Sequence, residues 1–141
     1  AVSSVAAVFS IPFQGFYSAT KSALNALALA LRNELAPFNI RVAAVMPGDV
    51  KTGFTDARVK SGGETVYGKT VEASVAVMER DEQHGMPPAR IAAKIVALAE
   101  AGNPKPLSAV GFQYKLFCLL GKILPVRFQY WLVGKLYIKK A

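Results

Sequence analysis

Tyr17 and Lys21 are the two residues of this chain whose types and spacing most directly suggest chemistry. They stand four residues apart in a segment with helical periodicity, and that spacing puts two side chains on one helix face. An ammonium group about 4 Å from a phenolate stabilises the anion by about 4 kcal/mol at an effective dielectric of about 20. The pair therefore predicts a general acid or base near neutral pH. Such pairs also occur on solvated helices, so the neighbouring motifs decide the interpretation.

Two further motifs flank this pair. Ser4 lies upstream in an apolar segment, and Pro47-Gly48-Asp-Val-Lys-Thr52 follows a hydrophobic run. Ser3 is the less favoured catalytic serine, because adjacent residues of a strand point to opposite faces. The Pro-Gly pair stops a strand at its carboxyl end, where ligands bind in open α/β sheets.

These motifs resemble the catalytic half of a short-chain dehydrogenase/reductase, in which Ser, Tyr-x-x-x-Lys and Pro-Gly-x-x-x-Thr occur in the same order and separation. The resemblance implies NAD(P)-dependent interconversion of a carbonyl and an alcohol. Tyr17 would exchange a proton with the substrate oxygen, Ser4 would hydrogen-bond that oxygen, and Lys21 would bind the nicotinamide ribose. The implied cofactor-binding residues are Tyr17, Lys21, Pro47, Gly48, Val50 and Thr52. The choice between NAD and NADP stays open.

The predicted fold class is α/β, as the C-terminal half of a Rossmann-like doubly wound parallel sheet. A glycine-rich phosphate turn is not found, so we expect these 141 residues to belong to a longer reductase and to be inactive alone. The predicted elements are a strand at 1–4, a loop at 12–15, a helix at 16–36, a strand at 40–46, helices at 70–80 and from Pro87-Pro88 to Gly102, and a last strand within 104–111. The second of these later helices has a predicted inner stripe of Ile91, Ile95 and Leu98, with Gly102 as its cap. In the helix at 16–36, alanine-rich faces predict burial on more than one side. One side would cover the sheet, and the resemblance implies a homo-oligomer interface on the other.

The segment from Lys51 to Gly68 is polar and contains Ser61-Gly62-Gly63. The resemblance implies a substrate-binding loop, and an ordinary surface loop is the alternative. His84 lies in a polar turn and is assigned no chemistry, and no cluster with metal-ligand spacing is evident.

Residues 112–141 differ in kind from the predicted reductase portion, residues 1–111. Residues 102–141 contain seven basic residues and no acidic one, whereas the preceding residues balance ten basic with nine acidic ones. Aromatic and aliphatic residues alternate with these charges, which predicts two amphipathic helices broken at Pro125. Lys115 and Lys122, and likewise Lys135 and Lys139, share a helix face.

Two interpretations of this tail stay open. It could lie on an anionic membrane surface, with Tyr130, Trp131 and Tyr137 at the interface, or it could pack over the substrate cleft or a partner subunit. Either one favours a lipophilic ketone or alcohol as substrate. No apolar run is long enough for a membrane span, and the basic residues lack a recognised nucleic-acid-binding module, so no nucleic-acid partner is expected.

A single cysteine, Cys118, is compatible with a reducing cytoplasm, so a cytoplasmic protein is predicted, with peripheral membrane association as the alternative. The competing function is a non-catalytic dimerising or membrane-associating module. It would follow from the lack of a nucleotide-binding half and from an open edge at the first strand.

Overall fold

A short parallel sheet holds the segments that carry the predicted site residues. In this computed structural model, the structure describes residues 1–54, 56–57 and 64–138, with the backbone alone for residues 64 and 65. The described elements are α1 (Gly15–Glu34), β1 (Ala44–Met46), α2 (Glu64–Tyr67), α3 (Lys69–Gln83), α4 (Pro88–Glu100), β2 (Leu107–Ala109), α5 (Phe112–Ile123) and α6 (Val126–Tyr137). Short 3₁₀ turns cover Val5–Ala7 and Ala36–Phe38.

The strand β1 lies at the centre of the sheet. It pairs in parallel with β2, with Val45 opposite Ser108, and Val2 forms a parallel bridge to Val45 from the other side. The amide of Ser3 donates to the Val45 carbonyl at 2.8 Å, and the Val45 amide donates to the carbonyl of Ala1 at 2.9 Å. All three β1 residues are buried, as in central parallel strands. The predicted parallel α/β arrangement is thus confirmed.

The predicted strand at 40–46 is too long by four residues. The amide of Ile40 donates to the Leu35 carbonyl at 3.2 Å, so it completes the turn after α1 and does not join the sheet. Asn39 has a left-handed φ of 57°, which turns the chain. Strand pairing begins at Ala44, whose amide donates to the Pro106 carbonyl at 2.7 Å.

The helix α1 matches its prediction to within two residues at each end. Arg32 in its last turn donates to the Val42 carbonyl at 2.8 Å and to Asn103 Oδ1 at 2.7 Å, which fixes this end beside the sheet. Its buried residues are Ser18, Asn25 and Ala28. On the opposite side of α1, Leu27 is 54% exposed in the single chain.

The helix at 70–80 is confirmed within α3, and α4 begins at Pro88 as the proline pair predicts. The inner stripe predicted for α4 is only partly covered, because Ile91 and Leu98 are half-buried while Ile95 is 41% exposed. Ile95 and Leu98 line an open groove beside Val2.

The predicted glycine cap of α4 is wrong. The helix ends at Glu100. The next residue, Ala101, is extended with a φ of −67° and a ψ of 129°, and Gly102 does not take a positive φ. The chain therefore continues from α4 in an extended conformation, and the left-handed conformation that favours glycine does not occur at this helix end.

The tail forms two helices that break at Pro125, as predicted. Tyr114 and Cys118 of α5 belong to one buried cluster with Met46 and Ala109 of the two strands. Gly121 allows α5 to pack closely against Val8, because a Cβ at position 121 would lie 2.6 Å from Val8 Cγ1. The tail therefore packs directly on the sheet. Lys139 lies outside the described residues.

Candidate active site

The helix α1 positions Tyr17 and Lys21 on one side, one turn apart. The Nζ atom of Lys21 lies 5.5 Å from the centre of the Tyr17 ring and donates a 3.1 Å hydrogen bond to the Val2 carbonyl. The ammonium group is thereby held between the helix and the bridge residue of the sheet. The Tyr17 ring also contacts Phe54, with 6.2 Å between ring centres.

The two adjacent serines have different roles in the fold. Ser3 is buried and donates through Oγ to the Lys21 carbonyl at 2.9 Å, which ties the first strand to α1. Ser4 precedes the 3₁₀ turn, and its Oγ accepts a 3.1 Å hydrogen bond from the Ala6 amide. Since that bond uses an acceptor site of Ser4, the hydroxyl hydrogen can still be donated.

The segment Pro47–Thr52, hereafter the Pro-Gly loop, follows β1 at its carboxyl end. Its Thr52 Oγ1 accepts a hydrogen bond from the Phe54 amide at 3.2 Å. A parallel bridge joins Val50 to Met86 in the connection between α3 and α4. This bridge holds the middle of the loop in place, while Lys51 and Thr52 at its end are exposed.

One cavity of about 390 Å³ joins these segments at the carboxyl ends of the strands. All the residues predicted for the site line it: Ser4, Tyr17, Lys21, Pro47, Gly48, Val50 and Thr52. Part of the predicted substrate-binding loop, residues 55 and 58–63, lies outside the described residues. The structure thus brings together residues that are up to 48 positions apart in the chain.

The two tail helices form an apolar wall of this cavity. The residues that they contribute to its lining include Phe117, Leu132, Val133, Leu136 and Tyr137. Phe117 and Leu136 are also partly exposed to solvent. This arrangement agrees with the interpretation in which the tail packs over the cleft, and it does not test membrane contact.

Sequence reasoning missed Asp49 and Tyr114, which also line the cavity. The Tyr114 hydroxyl donates to Asp49 Oδ2 at 2.7 Å and accepts from the Asp49 amide at 3.0 Å. Burial raises the pKa of the Asp49 carboxyl, and the carboxylates of Asp81 and Glu82 add to this against the hydrogen bond from Tyr114. Burial likewise raises the pKa of Tyr114, as does its bond to Asp49. Asp49 lies inside a recognised motif, whereas no local pattern marks Tyr114.

Tyr137 is a third tyrosine on the cavity. Burial, followed by the negative charges of Asp49 and Asp81, raises its pKa to about 12. Tyr137 is therefore a neutral hydroxyl near pH 7, able to donate a hydrogen bond into an otherwise apolar wall.

Parallel strands with helices alternating along the chain, and a cavity at the carboxyl ends of those strands, define a Rossmann-like α/β protein. Residues 1–62 match the family model described as short chain dehydrogenase. The chain belongs to the short-chain dehydrogenase/reductase family.

Relatives and a solved structure agree with this assignment. The chain is 39% identical over 113 residues to 3-ketodihydrosphingosine reductase of Bacteroides thetaiotaomicron, a match that covers 78% of this chain and 42% of that protein. It is 31% identical over 130 residues to NADPH-dependent 3-dehydrocapnine reductase of Ornithobacterium rhinotracheale, covering 89% and 46%. A crystal structure of a short-chain dehydrogenase from Streptomyces avermitilis matches with a TM-score of 0.70 and 28% identity, over 95% of this chain and 49% of that one. The chain thus spans about half the length of these proteins.

Among the helices in the described part of the chain, none combines the length and the apolar character that a bilayer span requires.

Proposed function

We propose that the protein is an NAD(P)-dependent oxidoreductase that interconverts a carbonyl and an alcohol, with Tyr17 as its general acid or base. The observation that carries this proposal is the shared cavity, since Ser4, Tyr17, Lys21 and the Pro-Gly loop all line it. Two relatives named as reductases support the same reaction class.

The donor set of the cavity fits the nicotinamide end of such a cofactor. Ribose hydroxyls and a carboxamide need both donors and acceptors, and Lys21, Thr52 and the backbone of the Pro-Gly loop supply both kinds. When bound, the cofactor supplies or accepts the hydride. One relative is named as NADPH-dependent, which makes NADPH the first cofactor to test.

The protein's own residues would then orient the substrate and move one proton. In the reducing direction, Ser4 donates a hydrogen bond to the carbonyl oxygen, which polarises the bond and fixes its direction. Tyr17 gives its hydroxyl proton to that oxygen, and the alcohol forms. The ammonium of Lys21 stabilises the phenolate left behind, which is the electrostatic role expected of a fixed charge in a partly buried cavity.

The substrate class that the cavity favours is a lipophilic ketone or alcohol. Its wall from α5 and α6 is mostly aliphatic and aromatic, and burial of one methylene is worth about 0.8 kcal/mol. Two relatives are named for 3-ketodihydrosphingosine and 3-dehydrocapnine. We therefore propose a ketone carried on a long apolar chain.

The first test is Tyr17→Phe in the full-length protein, assayed with NADPH and a series of ketones of increasing chain length. Loss of the proton donor should lower kcat by about 100-fold or more, with an unchanged melting temperature. The matched control is Tyr130→Phe, an exposed tyrosine of α6 outside the cavity lining, which should keep wild-type turnover. A Tyr17→Phe enzyme with wild-type kcat would refute the assigned role. For the wild type, a kcat/KM that does not rise with chain length would refute the substrate class.

A second proposal concerns the outer face of the tail and a membrane surface. Large apolar side chains remain exposed on α5 and α6, among them Phe112 at 81% and Trp131 at 50%. The exposed basic residues beside them are Lys115, Lys122, Arg127 and Lys135. Because Phe117 and Leu136 of the same helices line the cavity and are partly exposed, contact with anionic lipid would bring the cavity close to the source of a lipophilic substrate.

A third proposal is a homo-oligomer through α1. The helix keeps one side against the sheet, and Leu27 lies on the other side at an exposed position. Leu27→Arg should convert the oligomer to a monomer in sedimentation, whereas Asn33→Arg, at an exposed polar position of the same helix, should not. An unchanged mass for Leu27→Arg would exclude this face of α1 as the interface.

A further inference from the structure

Tyr114 connects the first turn of α5 to the Pro-Gly loop through a single hydroxyl group. That hydroxyl donates to the Asp49 side chain at 2.7 Å and accepts from the Asp49 amide at 3.0 Å. The backbone amide and the side-chain carboxylate of Asp49 are thus both bound by a residue 65 positions away in the sequence. Tyr114 is itself buried at the edge of the hydrophobic cluster, so the anchor is rigid.

The ring of Tyr114 also occupies the space beside Gly48. A Cβ on Gly48 would lie 2.0 to 2.3 Å from three ring atoms of Tyr114, closer than any real contact. The glycine in Pro-Gly is therefore required here by close approach of the tyrosine ring. The backbone of the loop and the ring pack directly on each other.

A second anchor of the loop is the connection between α3 and α4, which hydrogen-bonds to the loop backbone through Met86. The Met86 amide donates to the Asp49 carbonyl at 2.9 Å, and the Lys51 amide donates to the Met86 carbonyl at 3.0 Å. Gly85 allows this approach, since a Cβ there would lie 2.5 Å from the Asp49 backbone. With Tyr114 removed, the loop would keep this anchor and would lose the one that faces the cavity.

We infer that Tyr114 is a positioning residue that presets the Pro-Gly loop for the nicotinamide end of the cofactor. This inference rests on the proposed function. A loop held in its binding conformation before the ligand arrives spares the ligand the cost of ordering it, so loss of the anchor should appear as weaker binding. The effect should be confined to the part of the cofactor that the loop contacts.

The same helix turn carries part of the substrate wall. Phe117 lies three residues after Tyr114, with edge-to-face rings whose centres are 6.3 Å apart, and it lines the cavity. The Phe117 side chain has no hydrogen-bonding group to hold the loop, so its loss should affect substrate binding more than cofactor binding. The two neighbouring residues therefore predict opposite patterns of kinetic effect.

The test compares binding of two ligands to the full-length Tyr114→Phe protein. One ligand is NADH or NADPH, whichever the wild type binds, and the other is the matching ADP-ribose, 2′-phosphorylated in the case of NADPH. The substitution keeps the ring and removes two hydrogen bonds, so the Kd for the reduced cofactor should rise about tenfold. The Kd for the ADP-ribose, which has no nicotinamide, should change by less than about twofold.

Three variants control the experiment. Tyr130→Phe removes an exposed tyrosine hydroxyl and should leave both Kd values unchanged. Asp49→Asn keeps a side-chain oxygen that accepts from Tyr114 and should stay within about twofold of wild type. Phe117→Leu should raise the KM for a long-chain ketone and leave the cofactor Kd unchanged.

The outcomes separate this inference from the proposed function. A wild type that binds neither NADH nor NADPH would remove the proposed function, and the inference with it. Wild-type binding with an unchanged cofactor Kd in Tyr114→Phe would overturn the positioning role alone. An equal loss of affinity for both ligands in Tyr114→Phe would show that Tyr114 is a structural residue only. A rise in cofactor Kd for Asp49→Asn as large as that for Tyr114→Phe would assign the loss of affinity to the carboxylate charge instead.

Discussion

The ammonium of Lys21 lies 5.5 Å from the centre of the Tyr17 ring. It also donates a hydrogen bond to the Val2 carbonyl at 3.1 Å, which favours a position of the charge beside the aromatic ring. A lysine held in this way can stabilise negative charge on the phenol oxygen without reorganising, which is the condition for effective electrostatic catalysis.

We therefore predict that Lys21→Met lowers both turnover and cofactor affinity. Loss of a fixed charge should reduce kcat by about tenfold or more, and loss of a donor to the ribose should raise the cofactor Kd about tenfold. Steady-state kinetics and direct titration of the cofactor measure the two effects separately. Lys105→Met, at an exposed lysine in the loop before β2, is the matched control. An unchanged cofactor Kd would leave Lys21 only its electrostatic role.

A second prediction concerns the contact between Gly48 and Tyr114. Gly48→Ala places a methyl group within 2.0 Å of the ring, so the ring or the loop must move, at a cost of about 1–3 kcal/mol of unfolding free energy. In a Tyr114→Ala background the space is vacant, and Gly48→Ala should cost less than about 0.5 kcal/mol. Urea unfolding of the four proteins gives the coupling energy of this double-mutant cycle. Additive effects would show that the ring does not occupy that space in solution.

A third prediction follows from the raised pKa of Asp49. Because burial raises the pKa of this carboxyl in the folded state, its favourable contribution is complete below the unfolded pKa of about 3.9 and is lost as pH rises through the folded pKa. Ionised Asp49 thus destabilises the fold near neutral pH. Asp49→Asn removes this charge. The change in melting temperature that it causes relative to wild type should therefore be more favourable by about 2–4 °C at pH 8 than at pH 4.

The control for this experiment is Asp56→Asn, which removes an exposed carboxylate. The difference between the effects at pH 8 and pH 4 should be larger for Asp49→Asn than for this exposed control. A shift for Asp49→Asn that is larger at pH 4 than at pH 8 would mean that the Tyr114 hydrogen bond outweighs burial.

A fourth prediction concerns the thiol of Cys118. It lies in the core between α5 and the strands, and burial raises its pKa despite the opposing charge of Lys122. Both the low thiolate fraction and the lack of access should slow alkylation by iodoacetamide at pH 8 by at least about tenfold relative to the urea-unfolded protein. Equal rates would place α5 away from the sheet in solution.

The sequence predicts those parts of the site that depend on residues close together in the chain, and it does not predict the long-range contacts. Tyr17 and Lys21 share a face because of helical spacing, and Pro47-Gly48 ends a strand by local chemistry, so their placement needs only neighbouring residues. The partner of Asp49 is set by the docking of α5, and no local pattern encodes that contact. The same limit explains the partly exposed inner stripe of α4, since apolar periodicity shows which residues share a face and does not show whether another element covers it.

The last prediction tests the membrane proposal through the charges of the tail. Deleting the tail would also remove Tyr114 and Cys118 from the core, so substitution is the cleaner approach. Replacing the four exposed basic residues of α5 and α6 with glutamine removes attraction worth about 1 kcal/mol each near an anionic surface, which should weaken partitioning onto phosphatidylserine-containing vesicles by about 100-fold or more.

The control is a variant in which four exposed basic residues outside the tail are also replaced with glutamine. These residues are Lys51, Lys69, Arg90 and Lys105. General attraction of a basic protein to anionic lipid would lower binding equally in both variants, whereas a tail-specific surface would lower it only in the first. Wild-type partitioning should also fall steeply as salt rises, because screening shortens the reach of exposed charges. Equal binding of wild type and tail variant would show that these basic residues are merely solvated. The two helices would then serve only to cover the cavity.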